Sequence, residues 1–162
     1  MSTRTDAPPR PFWGPPAARS THLMIVHPRY AQDLISGRKS VESRLGKDKR
    51  SPFGKVAPGD TVYIKSSGGA IYAAAQVERV DEFEDLTPAD IEHLRDSYED
   101  RIRGGDAYWA SKGDARFATL VWLGRVRPIA DQSQVPAELR KPSRNAWRTA
   151  VPSDAHGATR AA

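Results

Sequence analysis

The chain contains no cysteine, which excludes disulfide bonds, thiolate metal sites and a cysteine nucleophile. Its 4 histidines, His22, His27, His93 and His156, have no ligand-like spacing, and only scattered carboxylates are left to bind Mg²⁺. Neither a metal nor an organic cofactor is therefore predicted. There is no run of 18 consecutive apolar residues and no apolar segment at the N-terminus, so the reading is a soluble, cytoplasmic protein with no membrane partner. Internal repeats are absent too, which excludes a solenoid or propeller. Alternating βαβ units are also missing, which disfavours a doubly wound parallel sheet.

The 162 residues are a one-domain length. Residues 1–20 carry 5 prolines and no regular apolar period, which suits a disordered arm, or one in which Pro11-Phe12-Trp13 packs on the domain. Residues 153–162 are small and polar and read as a disordered tail. About 130 residues remain, enough for one hydrophobic core. The division that follows is an arm at 1–20, a folded domain at 21–130, a basic extension at 131–152 and a tail at 153–162. The formal charge of +5 favours polyanionic partners, although a solvated basic face satisfies it equally well.

Local patterns predict the elements. Leu23-Met24-Ile25-Val26 is a short buried strand that ends at His27-Pro28. Tyr30, Ala31, Leu34 and Ile35 follow at helical spacing, with Gly37 as the C-terminal cap. A second strand covers Ser40–Arg44, and a basic loop runs from Gly46 to Gly59. Strands at Asp60–Lys65 and Ala70–Val80 flank the Ser66-Ser67-Gly68-Gly69 turn. Thr87-Pro88-Ala89-Asp90 opens a helix with Ile91, Leu94, Tyr98 and Ile102 on one face. Gly104-Gly105 breaks it. A short helix at Asp106–Lys112, a strand at Phe117–Val126 and an irregular basic stretch complete the chain.

Chemistry concentrates in Gly37-Arg38-Lys39-Ser40-Val41-Glu42-Ser43-Arg44. On a strand, Glu42 and Arg44 share a face, and Lys39 can turn toward it. A carboxylate held between two cations stays ionised and oriented. It can then meet a nucleobase edge while the cations meet phosphate. Spacing alone favours a surface ion-pair cluster over a site.

The order of parts resembles the signature of ASCH-domain proteins, a branch of the PUA-like superfamily. The resemblance rests on the apolar strand Leu23–Val26, then Gly37 and Lys39, then Glu42 and Arg44. Gly59-Asp60 opening the next strand, Val62–Lys65 and Ala73–Val77 complete it, and it extends from about Leu23 to Ile129. It implies an α+β fold: a small mixed β-barrel with two or three rim helices and a cleft lined by Lys39 and Glu42. It also implies RNA or a modified nucleoside as the ligand. One bacterial branch of the family hydrolyses an acylated nucleoside with a lysine, a threonine three residues later and a downstream glutamate. Lys39 matches the lysine, but Glu42 stands where the threonine would be, so recognition ranks ahead of an amidohydrolase-like or ribonuclease activity. If the protein is an enzyme, Lys39 and Glu42 are its catalytic pair.

Other candidates stand against plainer roles. Lys65 leaves its strand either beside the cleft or into solvent. Of Tyr98, Tyr108 and Trp109, Tyr98 lies on an apolar helix stripe, and Trp109 with Lys112 is the better ligand-binding pair. Arg140, Lys141, Arg144 and Arg148 surround Trp147. Either they suit single-stranded nucleic acid, with Arg144 as a contact, or Trp147 docks on the domain and leaves them solvated. The basic stretch Arg38, Lys39, Arg44, Lys47, Lys49 and Arg50 is the phosphate-contacting surface of the binding hypothesis. An acidic protein partner is the third possibility.

Overall fold

The computed structural model describes residues 19–150. The arm up to residue 18, with Pro11-Phe12-Trp13, and the tail from Ser153 fall outside these residues. The described strands are β1 (Thr21–Val26), β2 (Val41–Gly46), β3 (Thr61–Ser66), β4 (Ile71–Phe83), β5 (Phe117–Leu123), β6 (Arg127–Pro128) and β7 (Trp147–Ala150). The helices are α1 (Ala31–Ile35), α2 (Pro88–Ile102), α3 (Asp106–Ala110) and α4 (Ala137–Arg140).

All seven strands join one sheet. Its path runs β2-β5-β4-β3-β1-β7, with the short β6 on β4. The β1–β3 pair is parallel, aligning Met24 with Ile64; β1–β7, β2–β5, β3–β4 and β4–β5 are antiparallel. The mixed α+β architecture is as expected, but among the described residues no ladder joins β2 and β7 at the two ends of the path, so the sheet is not closed into the expected barrel. Side chains occupy the gap instead. From β2, Arg44 Nη2 donates to the Ile25 carbonyl at 3.0 Å, and its guanidinium lies 5.6 Å from the Trp147 ring centroid.

Two other expectations change. Among the described residues there are four α-helices rather than two or three, because α4 is a single turn and too short to show a period. The stretch expected to be irregular contains β7, a strand made by pairing with β1 rather than by its own pattern.

Strand alternation builds three apolar clusters. Met24, Val62, Ile64, Ala73, Ala75, Val121 and Trp147 fill the concave interior. On the opposite face, Ile91, Leu94 and Ile102 of α2 pack on Val41, Leu45, Ala118 and Leu120. Beside α4, Leu139 and Val135 cover Leu23, Ile71 and Ala150. Each fully buried Leu or Ile contributes about 1.5–3 kcal/mol of transfer free energy.

α2 starts as its sequence predicts. Thr87 Oγ1 accepts from the Asp90 N–H at 3.2 Å, and Asp90 Oδ2 accepts from the Thr87 N–H at 2.9 Å. This reciprocal pairing satisfies two otherwise orphaned donors. The helix ends one residue before the glycine pair, with Arg103 in the left-handed region at φ 54. That corner delivers Gly104 and α3 to the end of the sheet beside β2.

Candidate functional site

The turn after α1 determines where the charged cluster points. Gly37 adopts φ 81, a conformation that costs glycine little, and the Lys39 N–H donates to the Asp33 carbonyl at 2.8 Å. Lys39 thus enters the fold rather than solvent and is only 2% exposed. Its Nζ donates to the carbonyls of Val41 (3.1 Å) and Ile102 (2.6 Å) and lies 5.0 Å from the Tyr30 ring centroid. Burial pushes the Lys39 pKa below the ordinary lysine value, while the Glu42 carboxylate pulls it back up.

On β2 the two-residue period separates the side chains. Val41 and Leu45 pack toward α2, while Glu42 and Arg44 face the open end of the interior. Glu42 is 7% exposed. Its Oε1 lies 3.4 Å from Arg44 Nε, and its Oε2 lies 3.9 Å from Lys39 Nζ. Neither approach is a hydrogen bond: Glu42 Oε2 and Arg44 Nε are both buried without a hydrogen-bond partner. An unsatisfied buried acceptor costs about 1–3 kcal/mol, and more when charged.

That oxygen belongs to a residue lining a cleft of about 580 Å³ between β2, the end of β1, the loop after β2 and the Ile102–Tyr108 corner. Lys39, Arg44, Lys47, Arg50 and Lys112 line it, against Glu42 and Asp48 as its acids. Tyr30, Phe53, Tyr108 and Phe117 add ring surface. The Tyr108 hydroxyl donates to the Ser43 carbonyl at 3.2 Å and shares a 2.5 Å bond with Ser43 Oγ. Burial pushes its pKa well above the usual tyrosine value. Gly104 permits this packing, since a Cβ there would stand 2.4 Å from Tyr108 Cδ1. At the mouth, Lys112 Nζ donates to the Leu45 carbonyl at 3.4 Å. Among the described residues, no group of three or more His, Asp or Glu side chains is placed to hold a metal ion, and no helix is long and apolar enough to cross a membrane.

No family model matches this chain, and no curated protein matches it in sequence. Solved structures do. The ASCH protein of Zymomonas mobilis aligns with 86% of this chain and 94% of its own, at 17% identity and a TM-score of 0.60. A serine-to-alanine mutant of that protein aligns with 89% of this chain and 97% of its own, at 18% identity and a TM-score of 0.62. The chain has the ASCH fold.

Within this ASCH fold, Lys39, Glu42, Arg44 and Lys112 come together at one cleft. The other candidates lie elsewhere. Trp109 is buried against α2, its Nε1 donating to Glu99. Adjacent residues on a helix diverge by about 100°, so α3 sends Trp109 to α2 and Tyr108 to the cleft. Lys65 lines a second cavity bounded by β1, the β3–β4 turn and α4. Arg144 is exposed before β7 and lines neither cavity. Trp147 is buried in the interior cluster and does not present its ring for stacking. In the basic stretch, Arg38 turns away to pair with Asp33 at 3.1 Å. Tyr30, Ser43, Phe53 and Phe117 line the cleft although sequence reasoning did not assign them to it. Tyr30 reads there as part of a helix stripe, and Phe53 sits in a loop without a period.

Proposed function

We propose that this ASCH domain binds RNA or a modified nucleoside, with the base in the Glu42 cleft and the surrounding cations toward phosphate. The Glu42 carboxylate carries this reading: it lines the cleft, and its buried Oε2 has no hydrogen-bond partner, with Lys39 Nζ 3.9 Å away. It asks for a donor, and nucleobases present amino and imino N–H groups on their edges; a carboxylate accepting from the cytosine amino group is one such pairing. The aromatic rings of the lining suit the base's faces, and the excess of cations suits phosphate, which positions rather than specifies.

A hydrolytic reading has one observation of its own: the buried, pKa-lowered Lys39 stands beside Glu42. In that scheme Glu42 takes a proton from water as it attacks an acyl carbon or phosphorus. The leaving nitrogen or oxygen departs with a proton, and a cation stabilises the developing charge. Two Lys39 protons are already committed to the Val41 and Ile102 carbonyls, so recognition is the better-supported function.

The test is a paired assay of wild type and Lys39→Ala with RNA oligomers, the four ribonucleosides, and acylated and methylated nucleosides, reading binding and product in the same samples. Binding without turnover, weakened by the substitution and steeply by salt, is the expected result. Turnover lost in the variant would instead establish the hydrolase. No response to any of these ligands would remove the proposal.

A further inference from the structure

The second cavity, of about 440 Å³, lies on the outer side of β1. Its floor is apolar and firm: Leu23, Ile71 and Leu139 are 2%, 5% and 2% exposed. Its cationic side chains are Lys65, Arg140 and Lys141, and its lining contains no carboxylate. Among the described residues, none of these three cations forms a salt bridge; Lys65 Nζ donates to the Ser66 carbonyl at 3.3 Å. The surface cations Lys47, Lys49 and Arg50, by contrast, each have a carboxylate within 3.0, 3.0 and 3.3 Å. Ile25 lines both the second cavity and the Glu42 cleft. The two cavities therefore adjoin across the C-terminal end of β1, where Arg44 reaches the Ile25 carbonyl from the cleft side.

We infer that the second cavity is a phosphate-binding subsite for a nucleotide next to the base held at Glu42, so that the ligand is a single-stranded RNA crossing Ile25 rather than a free nucleoside. This rests on the reading of the Glu42 cleft given above. Cations that form no salt bridge among the described residues, in a lining without a carboxylate, suit the phosphodiester, and an apolar floor suits the face of a base or ribose. An acidic peptide would also satisfy the cations, and competition by poly-glutamate separates it from RNA.

The test uses the full chain and two probes: a fluorescein-labelled single-stranded RNA of about eight nucleotides, followed by anisotropy, and cytidine, followed by NMR titration. In Arg140→Ala/Lys141→Ala, RNA affinity is expected to fall about tenfold near 0.1 M salt. The slope of log K against log salt should shrink by about 1.4, the release expected for two phosphate contacts on a single strand. Cytidine binding should be unchanged. Glu42→Gln should weaken both probes and leave the slope alone. Both cations are exposed, so the double variant should fold, which near-ultraviolet circular dichroism checks.

An unaltered RNA affinity and slope in the double variant, with Glu42→Gln still weakened, overturns the subsite and leaves the cleft reading intact. Equal weakening of RNA and cytidine in the double variant also overturns it, because the cavity would not be a separate subsite. Loss of neither probe in Glu42→Gln removes the cleft reading and this inference with it. Displacement of the RNA by poly-glutamate at similar concentration would assign the cations to an acidic protein instead.

Discussion

Glu42→Gln separates the charge of this side chain from its shape. The amide keeps an oxygen acceptor in the cleft but leaves Lys39, 2% exposed, without its nearest anion. At an effective dielectric of about 20, the pairs at 3.9 Å and 3.4 Å are worth roughly 4 and 5 kcal/mol of gross attraction. Removing the carboxylate also removes its own desolvation penalty, several kcal/mol. The net expectation is a destabilisation of about 2 kcal/mol, or roughly 8 °C in Tm for a domain of this size. Lys39 already has a pKa lowered by burial, and loss of Glu42 should lower it further. For a lysine so depressed, the unfolded chain binds more protons, so stability rises with pH between the folded-state value and the usual one near 10.5. The variant regains stability at lower pH than wild type, and the gap between the two narrows as pH climbs. Ligand affinity should drop about tenfold, the difference between a charge-assisted and a neutral hydrogen bond. Thermal denaturation across pH and a nucleoside titration read all of this. A variant as stable as wild type at pH 7, with unchanged nucleoside affinity, would refute the assignment of Glu42 as the buried, ligand-facing charge.

Three further outcomes are expected. The Tyr108 phenol has its pKa raised by burial, so its contribution is complete below the unfolded value near 10 and lost as pH rises through the folded one. Alkaline titration at 295 nm should show late-ionising tyrosines, since burial also raises Tyr72; Tyr108→Phe should remove one of them, and the variant should lose less stability above about pH 10 than wild type. Gly104→Ala drives a Cβ to within 2.4 Å of Tyr108 Cδ1; it should cost about 1–3 kcal/mol by overpacking and weaken ligand binding as the ring leaves the cleft wall. The Trp147 indole, which can only donate, faces His22 Nδ1 at 3.2 Å, and His22 Nε2 lies 2.8 Å from Asp60 Oδ2. Nitrogen NMR should therefore find His22 as the Nε2–H tautomer in wild type, and Trp147→Phe should cost about 1 kcal/mol. The opposite tautomer would refute this arrangement.

Local chemistry made much of this fold readable. The Thr87-Pro88-Ala89-Asp90 cap, the glycine after α1 and the apolar strands depend on interactions within a few residues, and each element formed near its expected place. Glu42 and Arg44 share a face because the strand period is two, whatever the strand packs against. The ASCH resemblance came from the order of such local parts, and the fold agrees with it.

The distribution of the other candidates required the tertiary structure. Trp109 and Tyr108 are neighbours in sequence, yet α2 takes one ring and the cleft the other. Lys65 and Lys39 both adjoin strands, but β1 lies between their cavities. Trp147 sits in a basic stretch with almost no periodic pattern and becomes core only because β7 pairs with β1. The sequence alone determined the helix caps, the strand alternation and the cluster of Lys39, Glu42 and Arg44. The tertiary structure decided that the sheet stays open, that Arg44 and Trp147 meet in its gap, and that one oxygen of Glu42 remains buried without a hydrogen-bond partner. The physical reason is range: caps and alternation are satisfied by neighbours along the chain, whereas burial and hydrogen-bond satisfaction depend on segments distant in sequence.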